Sequence, residues 1–255
     1  MRVLFLGNNW VGWQVLTWLK QQGENIIGLV VHPAHKQKFG QEIMQTADLP
    51  AERVFDGSQL RDPCVLESIR ALSPDIGLSI LFGYILRPAF LDIFDRGCIN
   101  LHPAYLPYNR GAYPNVWSIV DGTPVGATLH YIDKGIDTGA IIAQRQVTVE
   151  PIDTGETLYG KLELASLELF QETWPMIKQN QVNVTRQVDS EGTYHTTKDV
   201  AAIDAIDLDK HYTARELLNI LRARTFPPYP GAYFIEGGRK IYLHLTLRYG
   251  ESEED

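Results

Sequence analysis

Residues 98–144, CINLHPAYLPYNRGAYPNVWSIVDGTPVGATLHYIDKGIDTGAIIAQ, decide how the fold is read. They open with the apolar run Cys98-Ile99-Asn100-Leu101-His102, stopped by Pro103, which reads as a buried strand carrying two polar residues. In an extended chain residues two apart share a face, so Asn100 and His102 point one way while Ile99 and Leu101 point into the opposite layer. A carboxamide and an imidazole then project together from the carboxyl end of a strand, where open α/β sheets seat their ligands. The stretch closes with Asp133-Lys134-Gly135-Ile136-Asp137-Thr138-Gly139, a turn-rich loop between the apolar strands GATLHYI and AIIAQRQV, which returns Asp137 to the same edge. His130, inside GATLHYI, reads as a satisfied core histidine or a support for that edge rather than as a catalyst.

Outward from this stretch, strands and helices alternate. Arg2–Leu6 reads as a strand stopping at Gly7, and Trp10–Lys20 as a helix with Val11, Val15, Trp18 and Leu19 at helical spacing. Strands follow over Asn25–His32 and Arg53–Phe55, with a helix over Gln37–Asp48 between them. A helix over Asp62–Leu72 precedes a long strand, Asp75–Leu86, in which Gly83 marks a bend, and Pro88–Phe94 forms a short helix. The alternation predicts an α/β fold, a Rossmann-like, mostly parallel sheet with helices on both faces. Beyond the central stretch, Asp153–Gln179 carries the longest helical pattern, which Pro175 is expected to kink or restart. After Lys178 the chain turns polar, and it reads as a link from a main domain, residues 1–180, to a small C-terminal α+β unit, residues 181–255. In that unit Thr213-Ala214-Arg215-Glu216 is a capping box opening a helix, and RTFPPYPGAYFIEGGRKIYLHL reads as strand, turn and strand. The acidic tail ESEED reads as disordered.

A carboxamide, an imidazole and a carboxylate at one edge suit acyl transfer to an amine. The first two can donate hydrogen bonds to the oxyanion of a tetrahedral intermediate, one such donor being worth about 3 kcal/mol of barrier. The carboxylate can orient the imidazole and accept the proton shed by the amine. No serine or cysteine stands in a nucleophile motif, so direct transfer fits better than a covalent intermediate.

Composition narrows the partners. With 255 residues, 44% of them hydrophobic, the chain can bury a sizeable core. Cys64 and Cys98 form no CxxC pair, and the H-x-x-H of His32 and His35 is broken by Pro33, so no metal site is expected and these two histidines read as solvated loop residues. The apolar start is interrupted at Gly7, Asn8 and Asn9, short of a signal-peptide core, and no later run approaches a membrane span; a cytoplasmic protein without membrane contact is expected. A net charge of −8 argues against a nucleic-acid partner while leaving room for small phosphorylated ligands. The loop Gly7–Gly12 lacks the G-x-G-x-x-G order, so no NAD is inferred, but backbone N–H groups at a helix start make a seat for an anion.

The runs N-L-H-P, L-P-Y-N-R-G and D-K-G-I-D-T-G-A-I-I resemble the formyltransferases that use 10-formyltetrahydrofolate, a family that includes glycinamide ribonucleotide transformylase, methionyl-tRNA formyltransferase and the sugar N-formyltransferases. The resemblance is strongest over about residues 75–150. It implies that residues 1–180 are the catalytic domain and that Asn100, His102 and Asp137 are the catalytic trio. It places the folate between the loop Phe82, Gly83, Tyr84, Ile85, Leu86 and the loop Asp133, Lys134, Gly135, Ile136, whose apolar walls and fixed backbone groups suit a flat heteroaromatic ring. On the acceptor side it implies Asn8, Asn9 and Trp10, and the rigid aromatic loop from Pro103 to Pro114 adds Tyr105 and Arg110, the latter suited to an acceptor phosphate or to an ion pair. The segment around Phe226, Tyr229 and Tyr233 is similar to that of bacterial enzymes that formylate a nucleotide-linked amino sugar, where Phe226 and Tyr229 would stack on a base or line a sugar pocket.

The expected function is therefore direct transfer of a formyl group to the primary amine of a nucleotide-linked amino sugar, with no metal and with room for a homodimer. Formylation of methionyl-tRNA or of an aminoacyl thioester, hydrolysis of the formyl folate, and a non-catalytic folate or nucleotide binding module remain the alternatives.

Overall fold

The computed structural model describes residues 1–250; the tail ESEED lies outside the described residues. In chain order the first elements are β1 (Arg2–Gly7), α1 (Trp10–Gln21), β2 (Asn25–Val31), α2 (Gly40–Ala47), β3 (Val54–Asp56), α3 (Pro63–Ala71), β4 (Ile76–Ile80), α4 (Pro88–Leu91) and β5 (Cys98–His102). They are followed by β6 (Arg110–Gly111), α5 (Pro114–Val120), β7 (Gly126–Tyr131), β8 (Ile141–Gln146) and the long α6 (Gly155–Lys178). The chain ends with β9 (Tyr194–His195), α7 (Thr197–Asp204), α8 (Ala214–Arg224), β10 (Ala232–Glu236) and β11 (Arg239–Leu243).

Seven strands form one sheet in the order β3-β2-β1-β4-β5-β7-β8, parallel from β3 to β5 and antiparallel at β7 and β8. β1 and β4 are buried on both faces, as continuous apolar runs in a two-sided sheet must be. One face packs on α1, α2 and α6 through residues such as Val15, Ile43 and Phe170; the other packs on α3 and α4 through Leu66, Ile69 and Phe90. The α/β reading with helices on both faces is thus the observed fold. The strand order turns at β1 and β4, and the loops leaving β1, β2, β4 and β5 all open at that carboxyl edge, the place where such sheets bind ligands.

Three local expectations change. The apolar run from Asp75 stops being a strand at Ile80, whose partner on β1 is Gly7, the last residue of that strand. With no neighbour left on that side the backbone leaves the sheet, through Leu81 at φ 46 and Gly83 at φ 79, so residues 82–86 form a loop at the sheet edge. Helix α6 does not restart at Pro175 but continues to Lys178, and in its last turn Trp174 Nε1 and Lys178 Nζ both donate to Glu24 Oε1, at 3.0 and 2.7 Å. The polar segment after α6 is not a free link. Thr185 bridges to Ile141 beside β8, and β9 pairs in parallel with β6, so residues 185–195 strap across the main sheet's carboxyl edge.

Beyond the strap, α8 begins at the expected Thr213–Glu216 capping box and packs on α5 and α6, with Ala223 and Val200 in a third apolar cluster. β10 and β11 form the expected hairpin. Among the described residues no helix is long and apolar enough to cross a membrane.

Candidate active site

Asn100 and Ser79 are register partners on β5 and β4, and the Ser79 hydroxyl donates to Asn100 Oδ1 at 3.0 Å. On the other side of β5, Asn100 is paired with His130 of β7, and its Nδ2 lies 3.1 Å from His130 Nε2. His130 Nδ1 is 2.8 Å from the carbonyl oxygen of Tyr131 and must carry the proton that is donated to it. Its Nε2 is therefore the acceptor, and the Asn100 amide is fixed with its oxygen toward Ser79 and its nitrogen toward His130.

Burial holds His130 far below its ordinary value of 6.5, at about 4, against the opposing pull of Asp137. At neutral pH the 3.6 Å approach of His130 Nε2 to Asp137 Oδ1 is consequently not an ion pair. Asp137 Oδ2 accepts the Gly111 N–H at 2.9 Å and lies 3.7 Å from His102 Nε2. Among the described residues the hydrogen-bond donor nearest Oδ1 is Asn100 Nδ2, at a long 3.5 Å, which leaves room for another donor. Gly111 can reach the carboxylate only as glycine: its φ is 89°, and a Cβ there would lie 2.3 Å from the His195 carbonyl oxygen.

Asn100, His102 and Asp137 share one cleft of about 660 Å³. One half of it is walled by the loop Phe82–Leu86 and by Ile132, Asp133, Gly135 and Ile136, with Ile85 and Ile136 presenting exposed apolar surface. Lys134 is exposed and stands outside that wall. His32, expected as a solvated loop residue, instead closes this half: its ring packs edge-on against Phe82 and Tyr84 at 4.9 and 4.7 Å, and its Nε2 meets the Phe82 carbonyl. The lining of the cleft also includes Asn8, Asn9, Lys38 and Tyr159, and Gly111, Ala112 and Pro114 with Tyr194–Thr197. A second cavity of about 530 Å³ adjoins it through the shared walls Asn9, Lys38 and Tyr159, and adds Trp10, Phe39 and Glu163.

Tyr159 lines both cavities. Burial, with Glu163 beside it, pushes the Tyr159 phenol up. Burial likewise raises the Glu163 carboxyl. Phe226 packs edge-on against Tyr159 at 5.7 Å and Tyr229 against Phe226 at 5.5 Å, which brings the C-terminal unit to the same place.

Sequence reasoning named the trio and both cleft halves but missed several parts. Ser79 interrupts an apolar run as Asn100 does, and that shared anomaly was the available signal. Tyr159 carried none, and Gly111 only its place at the end of L-P-Y-N-R-G. Arg110 is 7% exposed, with Nε and Nη2 donating to Gln187 Oε1, and neither it nor Tyr105 lines the cleft.

The geometry defines an α/β enzyme with an amide donor, an imidazole and a carboxylate around one point at the sheet's carboxyl edge. The model of the Formyl transferase family matches residues 1–174, and that of the N-formyltransferase dimerization C-terminal domain matches residues 199–249. The chain belongs to the formyl transferase family and is a one-carbon transferase. It is 30% identical to a methionyl-tRNA formyltransferase of Geotalea uraniireducens, over 96% of this chain and 78% of that protein. Among solved structures it is similar to a 4-N formyltransferase from Francisella tularensis, at 28% identity, TM-score 0.80, and coverage of 97% of this chain and 98% of that one. It is also similar to the formyltransferase PseJ from Anoxybacillus kamchatkensis in complex with UDP-4,6-dideoxy-4-formamido-L-AltNAc and tetrahydrofolate, at 30% identity, TM-score 0.58, and coverage of 79% and 89%.

Proposed function

We propose that the chain transfers the formyl group of 10-formyltetrahydrofolate to the primary amine of a nucleotide-linked amino sugar. The observation that carries this reading is the meeting of Asn100, His102 and Asp137 in one cleft that residues 82–86 and 132–133 line together with Asn8, Asn9 and Tyr159. The half formed by residues 82–86 and 132–136 suits the folate. Its walls are apolar, its loops offer backbone donors and acceptors, and the Tyr84 hydroxyl is buried without a hydrogen-bond partner among the described residues. When bound there, 10-formyltetrahydrofolate supplies an activated formyl carbonyl.

The residues of the chain then divide the work. Asn100, its amide orientation set by Ser79 and His130, offers the remaining Nδ2 proton to the oxygen on which charge develops. His102, whose Nε2 lies 3.7 Å from Asp137 Oδ2 and 3.3 Å from the Asn109 carbonyl, is the second donor in this reading. Asp137 Oδ1 holds the incoming amine by its N–H and takes the proton it sheds as the new C–N bond forms; when the formyl C–N10 bond breaks, that proton passes on to the N10 of the departing tetrahydrofolate. The amine must arrive without a proton, and a water-poor cleft favours that state.

Asn8, Asn9 and Trp10 at the start of α1, with Lys38, suit the anionic and sugar parts of the acceptor. Phe226 and Tyr229 extend the aromatic wall of Tyr159 toward a base. Residues 1–180 are proposed as the catalytic domain and 181–255 as the C-terminal unit, the strap within it docking back on the first. A homodimer through the C-terminal unit fits the exposed Ile235, Ile241 and Tyr242 of its hairpin, and light scattering at micromolar concentration tests it.

Methionyl-tRNA is the second reading, favoured by the relative that matches nearly the whole chain. A net charge of −8 disfavours the phosphate-tracking surface that such a substrate requires. The deciding experiment offers 10-formyltetrahydrofolate with UDP-, dTDP- and GDP-linked 4-amino-4,6-dideoxy sugars and with methionyl-tRNA, and weighs the products by mass spectrometry. A formamido sugar nucleotide supports the proposal. Formylation of methionyl-tRNA alone overturns it.

A further inference from the structure

We infer that Gln187 is a positioning residue for the reaction, the side chain that locks the turn bearing Asp137 against β6. The inference rests on the role given to Asp137 above. Gln187 lies in the strap, fifty residues from Asp137 in sequence and outside the walls of the cleft. Its one carboxamide is used at both ends. Nε2 donates to the carbonyl oxygens of Asp137 and Gly139, at 2.8 and 2.7 Å, which takes both of its protons. Oε1 accepts from Arg110 Nε and Nη2, at 3.1 and 2.8 Å. Only one orientation of the amide satisfies all four, so the side chain is held as firmly as it holds.

What it holds is a turn. Asp137 stands at φ 54, a left-handed conformation that costs a non-glycine residue some backbone energy, although Asp adopts it more readily than most. Two groups impose it from opposite ends: Gly111 N–H on the carboxylate and Gln187 on the backbone carbonyl. These groups are themselves joined, because Gly111 follows Arg110, whose guanidinium ends on Gln187. Strap pairing completes the ring, with Arg110 N donating to the Thr193 carbonyl at 3.0 Å and Ala112 N to that of His195 at 2.9 Å. A Gln187 that lets go frees the Asp137 turn without touching either substrate, so its loss acts on turnover and not on binding.

The test uses the full chain with Gln187→Met, which fills the space without either set of bonds, and Gln187→Glu, which keeps an acceptor for Arg110 but sets a carboxylate against two carbonyls. Turnover is measured with 10-formyltetrahydrofolate and the sugar nucleotide of the panel above that is formylated fastest. Misplacement of a reacting group predicts kcat lower by about 10- to 100-fold in both variants, with each KM changed by less than about threefold. In an Asp137→Asn background the same substitutions are expected to cost nothing further, since they act through the carboxylate. Equal fold-losses in the two backgrounds, or wild-type kcat in either variant while Asp137→Asn has lost about a thousandfold, would overturn the inference. Wild-type turnover in Asp137→Asn alone would instead remove the role of Asp137 and leave Gln187 with no carboxylate to position.

Discussion

Asn100 and Asp137 approach to 3.5 Å, yet the two regions that bring them there are built on unlike principles. Asn100 and His102 ride on β5, in the middle of the sheet, with β4 and β7 hydrogen-bonded on either side. Their direction follows from the pleat, and only the amide's rotation is left for Ser79 and His130 to settle. Asp137 rides on a loop in a left-handed conformation, and what fixes it comes from elsewhere: Gly111 and the strap residue Gln187. A ladder positions by repetition, whereas a loop must be positioned bond by bond.

The sharpest way to break this contrast is at the loop. Asp137→Asn removes the proton acceptor and is expected to lower kcat by about a thousandfold, in the range of general-base losses, with the thermal midpoint nearly unchanged. Steady-state kinetics beside a melting curve decides it. Asn100→Ala removes one oxyanion donor and should cost about 100- to 1,000-fold in kcat, measured the same way. A loss as small as a few-fold would mean that the strand end does not face the reacting carbonyl.

The contrast also explains what was legible. Asn100 and His102 stand out because two polar residues interrupt an apolar alternation, and the register that follows from a strand places them with no knowledge of the neighbours. The strand–helix alternation gave the sheet for the same reason. From the residues alone Asp137 reads as a member of a turn-rich loop, and only the D-K-G-I-D-T-G-A-I-I resemblance singles it out; the strap reads as a link because QNQVNVTRQVDSEGTYHTTKDV is mostly polar and rich in turn formers. Its bonds are made by side-chain amides and by strands of two residues, too short for any periodicity to register. The long strand expected from Asp75 to Leu86 failed at Ile80 for a tertiary cause, the end of the neighbouring β1.

Smaller effects sharpen the strand side. His130 holds its proton with a value near 4 when folded, below its ordinary 6.5, so the unfolded chain binds the extra proton between those limits. Stability from this group is complete above about pH 6.5 and is lost as the pH falls toward 4, by about 3 kcal/mol in all. Urea unfolding between pH 4 and 7 should show that much less slope in His130→Gln than in the native chain; equal slopes would contradict the buried neutral imidazole. Ser79→Ala leaves Asn100 Oδ1 without its donor and should reduce kcat only several-fold while costing about 1 kcal/mol of stability, read from the same kinetics and unfolding curves.

A crystal structure of the chain with tetrahydrofolate and its formamido sugar product tests the account most directly. The formamide oxygen is expected within about 3 Å of Asn100 Nδ2 and beside His102, with the formamide nitrogen turned to Asp137 Oδ1. A formamide seated elsewhere in the cleft, with Asn100 and Asp137 still bonded only to the chain, would contradict it.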